Sequence, residues 1–223
     1  MNKPREQHAL DAYIKFLQNK GATVTNLQKR NQFLQKLIPK LDRIECNGDA
    51  YRLAVETFER DIERKEWLFF LSVVREYYSF WVEDIKTIVG MSSDPTFDLE
   101  PVVMELLQGP LKALWQKLDQ EKFTTVESWS IKAYTHGLKQ HGASQSLIDT
   151  RVKLVKLVVV QIRTAPEPTN KQYRLSVDSI MFFFQSRETR ELFLSVVREF
   201  YHFWIGDPDA ADHLLVGYAS DAA

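Results

Sequence analysis

Cysteine is nearly absent: Cys46 is the single thiol in 223 residues. That excludes an internal disulfide and a thiolate metal cage, and it fits a reducing, cytoplasmic setting. Long apolar runs are missing too. Nothing approaches the roughly 20 consecutive apolar residues of a membrane span, and the opening Met-Asn-Lys-Pro-Arg-Glu-Gln-His leads into an amphipathic stretch rather than a secretory core. Neither sign of charge dominates. With 29 basic and 30 acidic side chains the net charge is −1, which argues against a globally basic nucleic-acid binder and against an acidic disordered chain. There is no glycine-rich phosphate loop. His8, His136, His141, His202 and His213 form no His-x-x-x-His pair and have no clustered Cys or Asp partner along the chain, so neither a metal site nor a cofactor is expected.

What the chain does have is apolar and aromatic mass, 44% and 12% of its residues, ample for a core. It also has an internal echo. Residues 70–81 read Phe-Leu-Ser-Val-Val-Arg-Glu-Tyr-Tyr-Ser-Phe-Trp, and residues 193–204 read Phe-Leu-Ser-Val-Val-Arg-Glu-Phe-Tyr-His-Phe-Trp, identical at ten of twelve positions. On a helical wheel Phe70, Leu71, Val73, Val74, Tyr77, Tyr78, Phe80 and Trp81 fill one half, with Ser72, Arg75, Glu76 and Ser79 opposite. The pattern predicts an amphipathic helix with an aromatic buried face.

The echo extends upstream. Tyr13, Leu17, Gly21, Ala22 and Arg30 match Tyr134, Leu138, Gly142, Ala143 and Arg151 at a shift of 121, and Tyr51 matches Tyr173 at 122. The aromatic helices follow at 123. A shift that drifts by one residue per loop is the mark of a duplicated unit. The expected fold is therefore all-α: a tandem duplication of a unit of about four helices, comprising residues 1–90 and 124–223, with a helical connector at 91–123 packed into the same body. Thr23 or Thr25 is expected to cap the second helix, Asp49 the third, and Thr124 with Glu127 to form a capping box. The aromatic helices are expected near residues 66–89 and 187–205. Pro101 and Pro110 read as first-turn prolines of short helices. Residues 152–163 alone resemble a β-strand, but their match to the second helix argues for helix.

Arg30 lies at the centre of the apolar stripe of the second helix, and Arg151 holds the same place in the other copy. An unpaired guanidinium there costs several kcal/mol, so a carboxylate present in both copies is required. Glu76 and Glu199 qualify, and structural ion pairs Arg30–Glu76 and Arg151–Glu199 are predicted. On the polar arc Ser195 and His202 stand two helical turns apart with no elbow glycine, so no catalytic residue and no enzymatic activity is expected. Where the first copy reads Phe58-Glu-Arg-Asp-Ile62 the second reads Ile180-Met-Phe-Phe-Phe184, so polar surface becomes apolar, and Met181, Phe182, Phe183 and Phe184 form either an internal contact or a surface for a protein partner or second subunit.

Charge is segregated twice over. Residues 1–52 carry net +5, 53–128 net −7, 129–174 net +6 and 175–223 net −5. The basic helices offer Lys29, Lys36 and Lys40, then Lys153, Lys156 and Arg163, as a candidate phosphate-backbone surface. Against it, the two sets project from different sides of their helices and no aromatic residue interleaves with them. Residues 20–25, Lys-Gly-Ala-Thr-Val-Thr, followed by a helix with an early Arg, resemble the helical core-binding domain of tyrosine recombinases. The resemblance covers a short stretch of each copy, involves no catalytic motif, and implies contact with nucleic acid. The reading that follows is a non-catalytic helical interaction or scaffold protein, with an accessory nucleic-acid binder as the alternative.

Overall fold

In a computed structural model, residues 4–95, 97–100, 104–164 and 169–215 are described. Among them are ten α-helices, two short 3-10 helices and no strand. None of these helices is long and apolar enough to cross a membrane. The chain divides into two compact units at residues 103 and 104.

In the first unit α1 (Arg5–Asn19) ends at Gly21, whose φ of 87° closes the helix, with the Ala22 amide bonded back to the Leu17 carbonyl. Thr23 then caps α2 (Val24–Leu41) by accepting from the Asn26 amide. The third helix, α3 (Gly48–Glu59), is capped by Asn47, which accepts from Ala50. Asp49 sits inside the first turn, where its charge meets the helix dipole, and so is not the cap. After a 3-10 turn the aromatic helix α4 (Trp67–Trp81) packs on both α1 and α2. Its buried face carries Trp67, Phe70, Val73, Val74, Tyr77 and Trp81.

The expected helix over 66–89 is broken. Glu83 adopts a φ of 58°, the Asp84 amide returns to the Ser79 carbonyl, and Asp84 starts a new helix, α5 (Ile85–Ser93). No side chain of α5 is buried. Residues 97–100 return to the first unit, with Phe97 edge-on to Phe16 at 5.2 Å and the Leu99 carbonyl accepting from Asn26 and Arg30.

In the second unit the chain at residues 104–108 is pinned by the buried Gln161, whose amide donates to the Glu105 carbonyl and accepts from the Leu107 amide. Pro110 stands at the N-cap position of α6 (Leu111–Gln120), one residue before the first turn and with no side-chain capping bond, and α6 packs on α8. Pro101 lies outside the described residues. Thr124 and Glu127 complete both bonds of a capping box on α7 (Thr125–Gln140). The β-branched stretch lies within a helix, α8 (Gln145–Ile162), capped by Ser144. Its Val155, Val158 and Ile162 sit in the core, so tertiary burial overrides strand propensity. Then follow α9 (Asn170–Met181), α10 (Arg187–Ile205) and a 3-10 turn, Ala210–His213. As α4 does with α1 and α2, α10 packs on α7 and α8.

Candidate functional site

Each unit buries one guanidinium in its core. Arg30 is 1% exposed, and it donates to the Glu76 carboxylate and to the Tyr13 hydroxyl, which in turn donates to Glu76 at 2.7 Å. In the second unit Arg151 donates to Glu199 at 2.6 Å and to the Tyr134 hydroxyl at 3.3 Å, while Tyr134 donates to Glu199 at 2.9 Å. Thus the structure brings together Arg30 with Glu76 and Arg151 with Glu199, and adds a tyrosine to each. Burial pushes the Tyr13 hydroxyl well above its ordinary value, and the adjacent Glu76 charge pushes the same way. Burial likewise lifts the Glu76 carboxyl, against the pull of Arg30. Tyrosines that resist ionisation, each donating to a carboxylate already held by arginine, make this a charge-neutralising knot.

One difference between the units lies at the Arg30 Nε. Asn26 accepts from the Arg30 Nε at 2.7 Å, whereas Leu147 stands at the matching place in the second unit and offers no acceptor. The Asn26 contact was readable from its i, i+4 spacing to Arg30 but is absent from the sequence reading.

The candidate phosphate-binding residues are unevenly available. Lys29 lies 3.8 Å from Glu66 and 4.6 Å from the centre of the Phe69 ring. Lys153 faces Asp119 at 3.9 Å, and Lys156 rests over Phe123. Arg163 bonds the Glu121 and Glu127 carboxylates and the Lys122 carbonyl, and it holds the Glu127 carboxyl below the usual carboxylate range. Lys36 and Lys40 are exposed, with no ion-pair partner among the described residues.

Of the four apolar residues at 181–184, Phe184 faces inward. It is buried, with its ring tilted against Phe193 at 5.0 Å, so it is core and not partner surface. Met181, Phe182 and Phe183 are half-buried. The larger exposed apolar residues lie elsewhere: Ile85 and Val89 on α5 are 66% and 59% exposed, and Trp129 on α7 is 67% exposed. An open cleft of about 310 Å³ beside α6 and α8 is lined by leucines such as Leu114, Leu118 and Leu157 together with polar residues that include Lys117 and Glu121.

A further cluster runs against the expectation from histidine spacing. His202, Asp207 and His213 converge at the C-terminal end of α10. The His202 Nδ1 is 2.9 Å from an Asp207 carboxylate oxygen, and the His213 Nε2 is 3.6 Å from the same oxygen. The His202 hydrogen bond holds the Asp207 carboxyl below its ordinary value, helped by the Asp209 amide. A signal for half of this was in the chain. Gly206 following an aromatic helix marks a left-handed stop, and that turn folds the next residue back over the last helical turn. The position of His213 depends on the 3-10 turn and was not readable.

No protein-family model, curated protein or solved structure matches this chain.

Proposed function

We propose that this chain is a non-catalytic helical interaction protein, built by tandem duplication of a four-helix unit and working in a reducing, cytoplasmic setting. The duplication reading is supported by equivalent contacts at equivalent sequence positions. Besides the two Tyr–Arg–Glu knots, Tyr51 donates to the Val74 carbonyl at 2.7 Å, and Tyr173 donates to the Val197 carbonyl at 2.6 Å. The same two tyrosines set their rings against Trp81 and Trp204, each tilted by 40°.

The interaction reading is carried by α5. Ile85, Ile88 and Val89 follow the i, i+3, i+4 spacing of an apolar face, yet the helix has no buried side chain. A helix of that kind gains by laying its apolar face into a groove on another protein, whether a different chain or a second copy. The test is a photo-reactive amino acid placed at position 85 of the full chain in its own cells. A discrete cross-linked protein, lost when Val89→Asp is added, is the expected result. An absence of cross-links, or cross-links indifferent to Val89→Asp, overturns it. The alternative, an accessory nucleic-acid binder, is favoured by one observation: Lys36 and Lys40 project unbridged from successive turns of α2.

A further inference from the structure

We propose that His202, Asp207 and His213 form a binding site for a divalent transition cation of the zinc class. Two imidazole nitrogens and one carboxylate oxygen are the donors such cations select. All three ligand atoms lie within 4.8 Å of one another. Around a tetrahedral cation with bonds of ~2.0–2.1 Å, ligand atoms stand about 3.4 Å apart. The 2.9 Å and 3.6 Å separations from the Asp207 oxygen bracket that value.

The backbone holds the donors in place. The Gly206 turn, with φ of 74°, returns the Asp207 amide to the His202 carbonyl at 3.0 Å, which ties the first two ligands together through the main chain. The second Asp207 oxygen accepts from the Asp209 amide at 3.0 Å, so the carboxylate has a fixed orientation, the role outer hydrogen bonds play around metals. On either side of His213, Ala210 and Leu214 are buried and anchor the 3-10 turn to the core. Asp209 and Asp212 add negative charge nearby.

The two imidazole rings are stacked 3.5 Å apart and only 10° from parallel. A cation bonds an imidazole nitrogen in the plane of its ring, and two parallel planes do not meet, so the site closes when one ring turns. His213 is the ring free to do so, its side chain being 47% exposed against 27% for His202. The three protein donors leave a fourth position to water. Among the described residues the first unit has no such cluster. Asp84 matches Asp207, but Ser79 stands in place of His202, and Asp84 is used to cap α5.

The experiment uses the full chain without an affinity tag, freed of metal by chelator and dialysis. Zinc is titrated by calorimetry, and cobalt(II) by its visible absorption. One cation per chain, with cobalt bands of imidazole and carboxylate coordination and a raised Tm, is expected. His213→Gln changes an exposed side chain and is expected to weaken zinc about tenfold or more while the helical circular dichroism stays unchanged. His202→Ala with Asp207→Asn is expected to abolish binding. Absence of uptake by the unaltered chain, or uptake by the His213→Gln and the double variants equal to that of the unaltered chain, overturns the proposal.

Discussion

At the scale of single residues, a buried arginine organises each unit, and its partner is dictated by electrostatics. A guanidinium on the apolar stripe of a helix has to find a carboxylate, and repetition narrows the choice to Glu76 and Glu199. The tyrosine of each knot was not readable that way. Tyr13 and Tyr134 lie on apolar helix faces, and sequence alone cannot separate a ring that only fills the core from one whose hydroxyl reaches across it. Glu199→Gln leaves Arg151 buried without a counter-charge and is expected to cost about 3–5 kcal/mol in urea unfolding. Replacing both, Arg151→Met with Glu199→Met, is expected to recover most of that loss, because the buried charge goes with its partner. A double variant as weak as the single one counts against this account.

Helix ends dominate at the scale of elements. The paired glycines 21 and 142 close α1 and α7 with left-handed turns of φ 87° and 77°. The aromatic helices close with the same backbone, but Gly206 holds the position in one and Glu83 in the other. A side chain in the left-handed region costs about 1–2 kcal/mol, a cost glycine avoids. Glu83→Gly is therefore expected to stabilise the first unit by about 1 kcal/mol, and Gly206→Ala to weaken the second by a similar amount. Paired denaturant melts measure both, and shifts of the same sign in the two variants contradict the argument. The break at Glu83 was missed in the sequence because Val82, Ile85, Ile88 and Val89 continue a helical apolar pattern past it, and only the glycine at the matching position hints at a stop.

For the whole molecule, the question is what the segregated charge does. Basic and acidic stretches alternate along the chain, and in the second unit they meet inside the fold: Arg163 is taken by Glu121 and Glu127, and Lys153 faces Asp119. We expect no association with single- or double-stranded nucleic acid that survives physiological salt. An affinity falling steeply with salt, and reduced by Lys36→Glu with Lys40→Glu, reverses that expectation. The sequence by itself determined that the chain is helical, where most helices start and stop, and that each buried arginine needs a carboxylate, because periodicity, capping and burial of charge act over a few residues or leave no choice. Only the tertiary structure decided that Phe184 turns inward, that α5 lies uncovered, and that His213 meets His202 and Asp207. Those outcomes depend on which surfaces the packed helices leave over, and no spacing along the chain encodes that remainder.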